Sequence, residues 1–310
     1  TLRIDTFTVG IYDAWFGYQS YFSAARLAGY LLIFVIFIML LSKYYADSPR
    51  GVATRTAELI NKVELNKSKQ IMFSLICSLV FLIVFCLPLF QLIYWQLSES
   101  SINLLSNINL LINSSILGFA VGIFTIFFAT ALSLSYRQSS KLKSLISIST
   151  SGYAIPGSVI SAGLLIGFDT IFGTSITIYG IFGLILCLGL RFMTPAYNYS
   201  RSSLANISKS SENALSLIPS NPLKAFSSFY YPQMKSALFL GFMIVFIESV
   251  KEQAATLLLR PVGFDTLSTK IYNFTSEGEW EMAASPSLLL IFLSLAFVYL
   301  INKNIDLNTK

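Results

Sequence analysis

The sequence contains no histidine and only three cysteines, Cys77, Cys86 and Cys187, each inside an apolar run. No thiol or imidazole cluster with metal-ligand spacing can be built from that set, so the cysteines read as small apolar residues of a helix bundle. Charge is also scarce. Asp, Glu, Lys and Arg make up 12% of the 310 residues, about half the share of an ordinary soluble domain. There is no Gly-rich phosphate loop ending in Gly-Lys-Ser/Thr, so the chain has no nucleotide site of that type. No paired-carboxylate, His or Cys arrangement of catalytic type can be assembled, which argues against a membrane enzyme. The first 20 residues lack an apolar core behind a basic start, so they do not read as a secretory signal.

What is present is apolar: 55% of residues are hydrophobic, in runs close to the roughly 20 residues that cross a bilayer. Seven membrane segments are predicted, at Ala24–Leu41, Ile71–Trp95, Leu110–Ser135, Ser144–Gly167, Ser175–Leu190, Ala237–Leu257 and Pro286–Ile301. Tyr94, Trp95 and Tyr136 fall near segment ends, as an interfacial belt does. The net charge of +6 resides in loops and therefore reports topology, not nucleic-acid binding. Lys43, Arg50, Arg55, Lys62, Lys67 and Lys69, then Arg137, Lys141 and Lys143, then Arg191, Arg201, Lys209, Lys224 and Lys235, then Lys303 and Lys310, alternate with basic-poor loops. The positive-inside bias makes their side cytoplasmic. The stretch before Ala24 and residues 260–285 then face outward.

An internal repeat organises the chain. Asp5, Thr6, Ile11 and Tyr12 correspond to Asp265, Thr266, Ile271 and Tyr272; after a one-residue slip, Ala24 and Ala25 match Ala283 and Ala284. Each copy runs into an apolar span ending at Lys43 or Lys303. Two copies entering the membrane in one direction are what a parallel duplication predicts. Residues 1–43 are accordingly expected to be the C-terminal end of a first half cut from a longer chain. Residues 44–70 read as a basic cytoplasmic linker, 71–303 as a second half of six spans, and 304–310 as a cytoplasmic tail.

Three segments are candidates for function. Residues 191–236 form the longest polar stretch between spans of the second half, and a stretch of that length is expected to fold. Within it SSENALSLI reads as a short helix capped by Ser210 or Ser211. NPLKAFSSFYYP follows, read as a turn at Asn221 and Pro222 and a second amphipathic helix carrying Leu223, Phe226 and Phe229. The second candidate is Tyr153, Pro156 and Gly157: a proline inside a span frees a backbone carbonyl, tolerated only where protein or a water-filled cavity satisfies it. The third is Glu248, Lys251 and Glu252, where a Glu248–Lys251 pair leaves Glu252 free to shape the field along a cation path.

The 191–236 stretch resembles the coupling loop of ABC importer permeases, in which a Glu-Ala-Ala motif is followed by Gly and then by Ile-x-Leu-Pro. Glu212, Asn213 and Ala214 occupy the triplet, with Asn213 in place of an alanine and Ile218 or Pro219 at the glycine; Tyr231 and Pro232 occupy the ending, with Tyr231 in place of leucine. KEQAATLLLRPVGFDTL, from Lys251, and SGYAIPGSVISAGLLIGF, from Ser151, resemble segments of the ferric-iron members of that class. The resemblance implies an all-α polytopic protein with the type I ABC importer transmembrane fold, in the bacterial inner membrane. It implies two kinds of partner, an ABC ATPase dimer that binds and hydrolyses the ATP and a periplasmic solute-binding protein. This chain would hold no cofactor or metal of its own. It further implies ATPase coupling through Glu212, Asn213, Ala214, Leu217, Pro222, Phe226 and Pro232. Thiamine, a polyamine or an inorganic anion as cargo, or an ion-coupled secondary transporter, are the alternatives. A secondary transporter calls for carboxylates in several spans, and only Glu248 comes close.

Overall fold

The computed structural model describes residues 6–18, 20–46, 66–98, 107–138, 142–173, 180–216 and 221–309. Among these every regular element is helical. Helices α1 (Phe7–Tyr12) and α2 (Tyr21–Ala46) come first, then α3 (Lys67–Ser98) and α4 (Ile108–Gln138). A group of shorter helices follows: α5 (Lys143–Ser149), α6 (Gly157–Phe172), α7 (Ile181–Arg191), α8 (Met193–Ala205) and α9 (Lys209–Ser216). The chain ends with α10 (Pro222–Lys251), α11 (Ala254–Leu259), α12 (Leu267–Glu277) and α13 (Ala284–Thr309).

Five of these helices are long and apolar enough to cross a bilayer, and two bent pairs raise the number to seven. The seven follow the predicted order, so the chain is a multi-pass membrane protein. Three predicted spans change form, the fifth by continuing past Leu190 through a 54° bend into α8. The segment at Ser144–Gly167 is not one rod: α5 with the turn after it meets α6 at 117°. The cause is local. Pro156 has no N–H to continue a helix and forces the residue before it out of the α region, and Ile155 is extended, with φ −89° and ψ 129°. The predicted sixth span also ends early, because α10 stops at Lys251 and Glu252 is extended before α11 begins.

The stretch read as a polar loop from Arg191 is largely helical. Met193, Ala196, Tyr197, Ser200 and Leu204 are buried on one face of α8, at the i, i+3, i+4 spacing of a helix packed on its neighbours. The helix at Lys209 is capped by Ser208, whose hydroxyl accepts from the Ser211 N–H at 3.2 Å, not by Ser210 or Ser211. Tyr231 and Pro232 do not end a separate helix. The chain runs unbroken from Pro222 to Lys251, and one π-type turn at Phe226–Tyr230 accommodates a proline with no N–H to donate.

The core forms where α4, α7, α8 and α10 meet. Leu117, Val121 and Ala129 pack with Leu184, Cys187, Leu188, Phe192, Ala196 and Val245. A Cβ at Gly118 or Gly122 would run into the Phe246 or Phe242 ring, so these glycines set the α4–α10 approach, as small residues do between membrane helices. Helix α3 is the opposite case, with no buried residue.

The two repeat copies fold alike. Thr6 caps α1 by accepting from the Val9 N–H, and Thr266 caps α12 by accepting from the Thr269 N–H. The last residue of each matched motif meets its counterpart: the Tyr12 and Tyr272 rings pack edge to face, centroids 5.9 Å apart. Asp5 lies outside the described residues.

Candidate functional site

Three helix breaks converge on one ion pair. The first lies at Ile155–Pro156, before α6. The second separates α7 from α8 at Phe192, with a bend of 54°. The third lies at Glu252–Gln253, between α10 and α11. Arg191, the last residue of α7, donates from Nη1 to Glu252 Oε1 at 2.8 Å. At 1.5 Å rise per residue, about 16 Å of helix precedes Arg191 and about 20 Å follows in α8, which puts the pair near the middle of the bent span.

Glu252 is held from several sides. Its Oε1 also accepts from the Ala255 N–H at 3.2 Å, and its carbonyl accepts from Thr256 Oγ1 at 2.8 Å and Ser268 Oγ at 3.0 Å. Gly157 makes room for the pair, because a Cβ there would lie 2.5 Å from Glu252 Oε1 and closer still to the Arg191 guanidinium. Arg191 is more lightly held. Its Nε is buried with no hydrogen-bond partner among the described residues, and its guanidinium lies 5.6 Å from the Phe192 ring centre.

A second Arg–Glu pair lies at the end of the bundle where α4 finishes and α10 begins. Arg137 Nε is 2.7 Å from Glu212 Oε1, Nη2 donates to the Ile207 carbonyl at 2.6 Å, and Nη1 donates to the Leu204 carbonyl. Tyr230 donates to Glu212 at 3.4 Å. One guanidinium thus satisfies carbonyls freed at the end of α8 and fastens α9 to α4, while Tyr230 connects the same carboxylate to α10.

The predicted residues divide between these places. Gly157 and Glu252 belong to the convergence. Pro156 precedes α6, and half-exposed Tyr153 lies in the turn before it, its ring 6.3 Å from Phe192. Glu248 and Lys251 do pair, at 2.8 Å, but on the exposed flank of α10. Glu252 is not left free, since Arg191 takes it. Glu212 joins the second pair, with Asn213 and Ala214 exposed on the same helix. Pro222 starts α10 behind the Asn221 cap, Phe226 begins its π-type turn and Pro232 lies inside it. Leu217, Ile218 and Pro219 fall outside the described residues, as do residues 47–65 of the predicted linker.

Reading the sequence missed Arg191 and Arg137 as site residues because both were assigned to basic loops. The signal for Arg191 was the helical spacing of buried positions beyond it. No group of three or more His, Cys, Asp or Glu residues able to hold a metal occurs among the described residues.

This arrangement belongs to a known fold. The chain shares the architecture of a chain of the MetNI methionine ABC transporter in an inward-facing conformation, with a TM-score of 0.53 at 15% identity, covering 66% of this chain and 96% of that one. The curated relatives are more specific. The chain is 25% identical over 320 residues to the Fe(3+)-transport system permease protein FbpB 2 of Haemophilus influenzae, covering 97% of this chain and 61% of that protein. It is 29% identical over 124 residues to the ferric transport system permease protein FbpB of Actinobacillus pleuropneumoniae, covering 39% of this chain and 18% of that one. The chain therefore spans about three-fifths of the length of the first of these relatives. No family model matches.

Proposed function

We propose that this chain is part of the membrane-spanning permease of an ABC importer for ferric iron, without a nucleotide site of its own. ATP is hydrolysed by a partner ATPase dimer, and cargo is delivered by a periplasmic binding protein at the bacterial inner membrane. Near end-to-end similarity to a ferric permease, on a chain with an ABC transporter fold, carries this reading. Residues 1–43 are then the end of one permease half and 71–303 the other. The matched Thr6 and Thr266 caps and the Tyr12–Tyr272 contact support that division.

Within this reading the two Arg–Glu pairs have different tasks. Arg191–Glu252 is a gate: ionised groups at membrane depth face protein or a pathway, and three broken helices supply backbone ends that can rearrange around it. Arg137–Glu212 is a fastening that transmits ATPase movement from α9 to α4 and α10. The cargo test is ATP-dependent uptake of labelled ferric iron into vesicles holding the full-length chain, its ATPase and its binding protein. Uptake of iron, with none of thiamine or a polyamine, is expected. Uptake of another solute in place of iron would overturn the cargo.

A further inference from the structure

A cavity of about 500 Å³ lies at the end of the bundle where α4 finishes, lined in part by Tyr136, Arg137, Lys143, Arg201 and Leu204. That volume falls in the range of small-molecule sites, about 300–1,000 Å³. Three of the lining side chains are cationic and none is acidic. Arg137 is neutralised by Glu212 at 2.7 Å. Lys143 and Arg201 make no ion pair among the described residues. Both are instead gathered on one ring: the Arg201 guanidinium lies 4.4 Å, and Lys143 Nζ 5.4 Å, from the centre of Tyr136. An aromatic face attracts a cation without neutralising it, so two positive charges are held together with no counter-charge. The Tyr136 hydroxyl accepts from Arg201 Nη2 at 3.2 Å and keeps its own proton to donate. Such a cavity repels a ferric cation, and its chemistry calls for an anion.

We infer that this cavity binds the phosphate of an anionic phospholipid, with Arg201 and Lys143 as its cationic partners, Tyr136 as a neutral donor and the acyl chains lying along α5. A guanidinium and an ammonium are the usual partners of a phosphate group, and both are exposed here, so a headgroup can reach them. The lipid source follows from what adjoins the charges. Leu142, Leu145 and Ile148 are all exposed, and their three-residue steps place them on one side of the helix that Lys143 begins. A cationic cavity continuous with an exposed apolar face matches a molecule with a phosphate at one end and hydrocarbon at the other; free phosphate, or a carboxylate on a soluble partner, leaves the apolar face uncovered. The position agrees as well. The positive-inside bias makes this end of the bundle cytoplasmic, and basic pockets between spans on that side receive anionic headgroups. Because Arg137 lines the same cavity, a bound phosphate sits beside the pair that ties α9 to α4.

The test is native mass spectrometry of the purified full-length chain in neutral detergent, titrated separately with phosphatidylglycerol, phosphatidylcholine and inorganic phosphate. Wild type is expected to bind phosphatidylglycerol at least ten-fold more tightly than phosphatidylcholine, and inorganic phosphate far more weakly than either lipid. Lys143→Gln/Arg201→Gln is expected to lose at least ten-fold in phosphatidylglycerol affinity, with phosphatidylcholine unchanged. Lys143→Arg/Arg201→Lys keeps both charges and should stay within about three-fold of wild type. Ile148→Ser should weaken phosphatidylglycerol several-fold while leaving inorganic phosphate unaffected. Equal affinity for the two lipids, or phosphatidylglycerol binding that survives in the double Gln variant, would overturn the site. Inorganic phosphate binding as tightly as phosphatidylglycerol would overturn the lipid as its source. Double Gln protein that keeps the lipid but no longer co-purifies the ATPase would assign the cavity to the partner instead. The titration uses neither iron nor ATPase, so import of a solute other than iron would sink the cargo reading and leave this site standing.

Discussion

The two Arg–Glu pairs are alike in chemistry and burial and opposite in construction. Side-chain exposure is 22% and 10% for Arg191 and Glu252, and 20% and 19% for Arg137 and Glu212. Arg137 binds a carboxylate and two backbone carbonyls, so opening that pair still leaves its guanidinium bonded. Among the described residues Arg191 donates to one acceptor, Glu252, and its buried Nε has no partner. It also lies where three helices are already interrupted. If the two pairs have the tasks proposed above, the difference teaches that burial alone does not separate a fastening from a gate. What separates them is how many other partners the arginine keeps, and whether the surrounding backbone is continuous.

That contrast can be broken by substitution, and the largest effect is expected at the gate. Glu252→Ala leaves Arg191 charged, at membrane depth and without its partner, a change that costs on the order of 3 kcal/mol in buried pairs. Its unfolding midpoint in detergent should fall furthest of the set, and uptake should be lost. Gly157→Val crowds the same pair from α6 and should cost about 2 kcal/mol, within the range for overpacking. Gly163→Val is the matched control, because a Cβ there meets nothing within 4 Å, and its midpoint should not move.

Arg137→Ala is expected to cost less, about 1 kcal/mol, because at the end of the bundle Glu212 can turn into water and the freed carbonyls can be hydrated once the guanidinium is gone. Its signature is functional instead: the ATPase should co-purify more weakly and lose its stimulation by the binding protein. Glu212→Lys should do the same, by placing a cation against Arg137 and in the first turn of a helix. Lys251→Ala is the smallest, within about 0.5 kcal/mol, since Lys251–Glu248 is an exposed i, i+3 pair. A shift at Lys251 as large as at Glu252 would erase the distinction between the exposed pair and the gate.

Much of the fold was legible in the sequence because lipid demands long apolar runs, and the order of all seven spans follows from them. Of the repeat, the matched residues Thr6 and Thr266 share a capping role. The helix breaks were harder to read. Pro156 signals one, but hydropathy cannot say whether a proline kinks a span or splits it, and the answer here depends on what Gly152 and Gly157 admit. Gly152 approaches the Leu190 backbone so closely that a Cβ would strike its carbonyl. Arg191 was misread because an arginine after an apolar run marks a membrane boundary in most chains. Its carboxylate lies 61 residues away, a pairing that local spacing does not report.

The central claim is that Arg191–Glu252 opens during transport while Arg137–Glu212 stays closed. Its most direct test is reducible cross-linking of Arg191→Cys/Glu252→Cys, with Arg137→Cys/Glu212→Cys alongside. The background lacks Cys77, Cys86 and Cys187, and a bifunctional methanethiosulfonate is the reagent. Removing both members of a pair leaves no orphan charge, so each double variant is expected to fold. The account predicts that cross-linking 191 to 252 stops ferric uptake until the link is reduced, and that cross-linking 137 to 212 replaces the lost ion pair and restores the uptake that the unlinked 137/212 variant lacks. Full uptake through a locked 191–252 pair would contradict it.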